Sequence, residues 1–245
     1  MIYEQFKKGI NIGSWLSQYD IIAEKPLTED SLRQHFDSFI KEDDIRQIAS
    51  WQFDHIRLPI SGYLIYDVEG NHMNSDTLEY LYKCIKWCSD CHLNIVLDLH
   101  DIYGNVYGAM DSAMPLLTDA DLQERFIRVW ELLAQELLNV QGTVIMFELL
   151  NEVSDASGSY PFSDIAGEHY DFSHKESLLW NKLYKRCIER IRRIDPDRLI
   201  LVGSNGQNSV VYLKELEILD DPAVFYNFHY YDPQVFTHQQ ADFSE

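Results

Sequence analysis

A chain of 245 residues with 46% apolar and 13% aromatic side chains can build one large core, which excludes the disordered and fibrous classes. Its formal charge of -20, from 20 basic against 40 acidic residues, argues against nucleic acid or an anionic membrane as partner, because Lys and Arg hold those surfaces. The charge suits a neutral ligand and serves solubility.

The chain alternates short apolar runs with helical patterns. Phe6 to Ile12 predicts a first strand that opens into a loop at Gly13, Ser14 and Trp15. Lys41 to Trp51 places Ile45, Ile48 and Ala49 on one helical face, and Phe53 to Ile60 predicts a second strand closed by Pro59. Asn74 to Cys91 has Leu78, Leu81, Tyr82, Ile85 and Cys88 at helical spacing. Leu93 to His100 predicts the third strand, ending at Asp98 and His100.

Thr118 to Asn139 opens on Thr118-x-x-Asp121, the form of a capping box, and predicts a long helix. Thr143 to Glu152, TVIMFELLNE, is an apolar run without Gly or Pro and predicts a fourth strand, buried on both faces, that ends in an amide and a carboxylate. A polar loop from Val153 to Asp171 leads to a helix starting at Ser173-x-x-Glu176. Arg198 to Gly203, a short helix from Ser209 to Leu219, and Ala223 to Tyr231 complete a sixth unit.

Strands alternating with helices imply a parallel sheet, and polar residues gathered at strand C-termini place a site on that end. The fold class predicted is α/β, of the TIM (β/α)8-barrel type, truncated after the sixth strand, because a closed barrel needs two more βα units of about 30 residues each. Residues 1–245 read as one catalytic domain. Such an opened barrel exposes two strand edges, which calls for cover by self-association with another chain or by the tail after Tyr231.

Cys84, Cys88, Cys91 and Cys187 suit buried free thiols in a reducing compartment better than zinc, because the first three share one helical pattern. No metal or organic cofactor is expected. The N-terminus lacks the apolar core of a signal peptide and no run approaches the roughly 18 apolar residues of a membrane span, so a cytoplasmic location is expected if Met1 is the natural start.

Arg57, His100, Asn151, Glu152, His229 and Tyr231 all fall at strand ends on one face of this arrangement. Taken singly each has an ordinary structural explanation, Arg57 as the partner of a core acid such as Glu148 among them. Together they resemble family 5 of the glycoside hydrolases and in particular its single-domain endoglucanases. The motifs that carry the resemblance run in order from Gly9 to Gln239: GINIGSW, FDHIRLP, VLDLH, FELLNE, VGSNGQNS, and YNFHYYDP with FTHQ.

The resemblance implies a β-glucan of cellulose or mixed-linkage type as substrate and a retaining mechanism. It implies Glu152 as general acid/base, Asn151 as the amide that binds the sugar 2-hydroxyl, Arg57 as the holder of a carboxylate network, and His100, His229 and Tyr231 as the lining of the cleavage subsite. The chemistry suits these types, since a glycosidic oxygen leaves slowly unless protonated by a carboxyl group kept neutral near about pH 6 to 7. Trp15, Tyr63, Tyr103, Tyr107 and Phe236 are candidates for stacking on pyranose faces.

Retention also needs a second carboxylate about 5 to 5.5 Å from the first. The family places it after the seventh strand, and no such motif occurs here. Glu148, four extended residues from Glu152, is expected roughly 13 Å away. Glu215, Glu217 and Glu245 are not credible substitutes, so a non-catalytic carbohydrate-binding protein is the alternative reading. Asp101 departs from the basic residue or His that many relatives carry after His100, which bears on subsite specificity.

Overall fold

Parallel strands need a crossover longer than a hairpin, and helices here supply it. The computed structural model describes residues 2–19, 28–66, 72–105, 115–153 and 170–239. Its strands are β1 (Gly9–Asn11), β2 (His55–Ser61), β3 (Asn94–Asp101), β4 (Ile145–Glu148), β5 (Leu199–Gly203) and β6 (Val224–Asn227). They form one six-stranded parallel sheet in chain order. The sheet is open and curled, as in a (β/α)8 barrel lacking its last two units. Among the described residues β1 pairs only with β2 and β6 only with β5.

The principal helices are α1 (Glu29–Phe39), α2 (Glu42–Ser50), α3 (Ser75–Asp90), α4 (Ala120–Glu136) and α5 (Tyr170–Arg192). Helix α1 was not expected. It is capped by Thr28, whose side chain accepts from the Ser31 amide, and it buries only Phe36, a stripe too thin to show in the pattern. Helix α4 starts later than expected. Its cap is Asp119 rather than Thr118: the Asp119 carboxylate accepts from the amides of Asp121 and Leu122 at 2.9 and 3.0 Å. Replacing Asp119 by Ala should cost about 1 kcal/mol, measured as a shift of the urea midpoint, while Thr118→Ala should cost much less.

The outer face of the sheet meets the helices in a core whose largest fully buried side chains include Trp130, Trp180, Tyr184, Phe126 and Phe147. Two of these also fix backbone. The Trp130 indole on α4 donates to the Leu149 carbonyl at 3.0 Å, and the Trp180 indole on α5 donates to the Gly203 carbonyl at 2.9 Å. Both carbonyls lie at strand C-termini, so helix packing sets the rim on which the polar residues stand.

Alternation along each strand fills the inner face differently. Val96, Met146 and Leu199 form a small apolar cluster there. Two residues further along, on the same face, come Asp98 and Glu148, both fully buried. The interior is therefore apolar below and charged at the rim. Cys84, Cys88 and Cys187 are buried free thiols and Cys91 is partly buried; a hydrogen bond with Cys88, together with burial, raises Cys84 well above the ordinary thiol range. No described helix is long and apolar enough to cross a membrane.

Candidate active site

The rim begins with a partly buried cation. Arg57, on β2, donates from Nε to Glu148 Oε2 at 2.7 Å and from Nη2 to Glu148 Oε1 at 3.0 Å, a bidentate fork. The same guanidinium reaches Asp98 Oδ2 at 2.9 Å, Asn151 Oδ1 at 2.9 Å and Asn11 Oδ1 at 3.0 Å. Burial alone would lower the pKa of this guanidinium. The carboxylates of Asp98 and Glu148 outweigh that effect and raise it, so the charge is locked on. Asn227, on β6, adds a donor to Glu148 Oε1 at 3.2 Å.

His100, on β3, shares this network through Nδ1, 2.8 Å from Asp98 Oδ2. Burial opposes its protonation, but the charge and hydrogen bond of Asp98 prevail, and its pKa is raised. The folded protein thus holds the His100 proton more tightly than the unfolded chain does. Its contribution to stability is full below the ordinary imidazole value of about 6.5 and is lost as pH rises through the folded value. Replacing His100 by Gln should flatten the fall in stability above about pH 6.5, read from urea unfolding across a pH series.

Glu152 stands where the chain leaves β4. The strand ends at Glu148 rather than at Glu152, although the backbone stays pinned beyond it: the Leu149 amide donates to Leu201 and the Asn151 amide to Leu99, each at 3.0 Å. At Glu152 φ is 45°, a left-handed turn that ends the extended path. Its Oε1 lies 2.7 Å from Nδ1 of His229, and its side chain is 19% exposed, whereas Asn151 is buried.

The carboxylates of Glu148 and Glu152 lie nearer than the expected separation, because one imidazole stands between them: Nε2 of His229 is 4.0 Å from Glu148 Oε1 and its Nδ1 is 2.7 Å from Glu152 Oε1. Glu148 is still no nucleophile. It is fully buried, and both of its oxygens are occupied by Arg57 and Asn227. The backbone N–H of His229 donates to the Asn208 carbonyl at 2.8 Å, which fixes the segment after β6 against that after β5.

Tyr231 is half-exposed, its ring edge-on to His229 at 6.3 Å. Partial burial and the negative charge of Glu152 raise the Tyr231 phenol, against the opposing influence of Arg57. Arg57, His100, Asn151, Glu152, His229 and Tyr231 therefore do assemble on one rim.

Trp15 does not join them. It is fully buried, donates from its indole to the Phe36 carbonyl at 3.0 Å and stacks on Trp87, so it has no face to offer a sugar. Tyr63 and Tyr103 are half-buried and Phe236 is exposed. Tyr107 and Glu245 lie outside the described residues. Asp101 is buried and accepts from the Ser61 hydroxyl at 2.7 Å, which makes it part of the wall. Asn11, Asn208 and Asn227 were missed as rim residues. The only signal for them was their position at or just beyond a strand end in the GINIGSW, VGSNGQNS and YNFHYYDP runs.

Among the described residues no cluster of three or more His, Cys, Asp or Glu side chains is placed to hold a metal ion.

The chain is 38% identical over 242 residues to Endoglucanase C of Acetivibrio thermocellus, covering 98% of this chain and 62% of that protein. It is 35% identical over 234 residues to Cellodextrinase A of Ruminococcus flavefaciens, covering 96% of this chain and 61% of that one. The chain thus spans about three fifths of the length of these relatives. The crystal structure of endoglucanase Cel5A from the hyperthermophilic Thermotoga maritima superposes with a TM-score of 0.71 at 23% identity, over 99% of this chain and 66% of that one, a likeness of fold. The cellulase family, glycosyl hydrolase family 5, matches residues 23–245, and the chain belongs to that family.

Proposed function

We propose that the protein is a retaining glycoside hydrolase that cleaves β-glucan of cellulose or mixed-linkage type, with Glu152 as its general acid/base. The observation that carries this reading is the environment of Glu152. Among the described residues it is the one rim carboxylate with an exposed flank; Asp98 and Glu148 are fully buried and committed to Arg57. A carboxyl group that donates a proton to a glycosidic oxygen must reach solvent-side substrate and have a partner that steadies it, and His229 is that partner.

Asn151, anchored through Oδ1 on Arg57, keeps its amide N–H groups for a sugar hydroxyl beside the cleaved bond. His100, His229 and Tyr231 line that subsite. The nucleophile comes from outside the described residues. Hydrolysis of carboxymethylcellulose, barley β-glucan and laminarin by the chain extended with the two closing βα units of a relative, with and without Glu152→Gln, tests this assignment. Equal rates for the two proteins would remove Glu152 from the chemistry.

A second reading follows from the same carboxylate inventory. With Asp98 and Glu148 sealed, the 245-residue chain by itself binds oligosaccharide without cleaving it. Turnover of an aryl cellobioside by this chain alone would exclude that; saturable binding without turnover would support it.

A further inference from the structure

The loop after β5 buries Asn208 beside His229. The asparagine is fully buried and has a φ of 56°, a conformation Asn tolerates better than most residues. Its amide lies directly over Gly203, where a Cβ would meet Asn208 Nδ2 and Oδ1 at 2.3 Å, so a glycine at the end of β5 makes the room. Its carbonyl holds the backbone N–H of His229 at 2.8 Å. Its side-chain Nδ2 then approaches Nε2 of the same histidine at 3.4 Å, a long contact, while Oδ1 finds no partner among the described residues.

Among the described residues, few groups face the His229 ring. Glu152 lies at Nδ1, Glu148 lies 4.0 Å from Nε2 with Arg57 behind it, Asn208 lies at Nε2, and the Tyr231 ring is edge-on. A neutral imidazole has one proton, and where it sits is set by what the other nitrogen meets. An amide N–H directed at Nε2 requires a lone pair there. The proton then belongs on Nδ1, directed at Glu152.

We propose that Asn208 is a positioning residue that fixes His229 as the Nδ1–H tautomer, so that His229 donates a hydrogen bond to the carboxylate of Glu152. The donor holds the Glu152 carboxyl group in one orientation and adds no second full positive charge to a rim that already holds Arg57. The catalytic meaning of this clamp rests on the proposed role of Glu152, but the tautomer itself does not.

Nitrogen-15 NMR of the imidazoles in the 245-residue chain at neutral pH tests it, with His229 assigned by its loss in His229→Gln. The result expected is a neutral ring with Nδ1 protonated and Nε2 bare. In Asn208→Asp an acceptor replaces the donor, and Nε2 should become protonated. If that variant does not fold, Asn208→Gly, which suits the backbone angle, should give a mixture of the two tautomers. Protonation of Nε2 in the wild type would overturn the proposal, as would an unchanged Nδ1–H tautomer in a folded Asn208 variant. Failure of Glu152→Gln to slow hydrolysis would instead remove the proposed function and leave the tautomer result standing.

Discussion

Replacing Arg57 by Met is expected to lower the unfolding free energy by about 3–5 kcal/mol, because it removes the cation from a fully buried pair of carboxylates. Domains of this kind have about 5–15 kcal/mol in total, so the loss takes a large share of it. The cost lies less in the lost attraction than in what remains. Glu148 loses both hydrogen bonds of the fork, and Asp98 and Asn151 lose a donor each. Arg57→Lys keeps the charge but not the fork, and should fall between the two. Combining Arg57→Met with Glu148→Gln should recover part of the loss, since a neutral amide is cheaper to bury than an unpaired carboxylate. Urea denaturation read by tryptophan fluorescence measures all three; a loss under about 1 kcal/mol for Arg57→Met would show that the network is solvated rather than sealed.

Replacing Glu152 by Gln is expected to reduce hydrolysis of unactivated β-glucan by about 10²- to 10⁴-fold, the usual range for a positioned proton donor. The substitution keeps the shape of the side chain and leaves Arg57, Glu148 and Asp98 paired with one another, so stability should change little. Substrate binding should also be retained, because Asn151 and Tyr231 stand on their own supports. The loss should therefore fall on kcat more than on KM. The other rim acids are sealed, so neither can stand in for the missing donor.

The strand and helix order was legible because each strand is short, apolar and flanked by a helix whose buried stripe has a clear period, as Phe126, Val129, Trp130 and Leu133 show on α4. Helix α1, with a single buried residue, offered no such stripe. The rim was legible where a polar residue interrupts or ends an apolar strand, as at Arg57, His100 and Asn151. It was misjudged where position along the chain says nothing of direction. Trp15 lies in a strand-end loop, yet its ring turns inward onto Trp87 and α1. An extended path from Glu148 sets Glu152 too far away, because the left-handed turn at Glu152, which redirects its side chain, has no signal in the apolar pattern. Asn208 and Asn227 were overlooked because an Asn in a loop most often makes a turn, and only the folded chain shows their side chains directed at His229 and Glu148.

The open edges of β1 and β6 have a further consequence. Among the described residues no strand pairs with the free edge of β1 or of β6, and Tyr230, Tyr231 and Phe236 near the end of the chain are exposed. We propose that self-association or a closing segment shields this side, and a concentration-independent monomer by sedimentation, free of dye-binding apolar surface, would contradict it.

The central claim is that Glu152 donates the proton to the departing glycosidic oxygen. The most direct measurement is kcat/KM of the chain extended by two closing βα units, and of its Glu152→Gln variant, on cellobiosides whose leaving groups run from dinitrophenol to glucose. Acid assistance matters only where the leaving group is a poor one. The variant should cleave the dinitrophenyl substrate at close to the wild-type kcat/KM and fall progressively further behind as the leaving group becomes more basic. An equal loss on every substrate, or no loss on any, would contradict the assignment of Glu152.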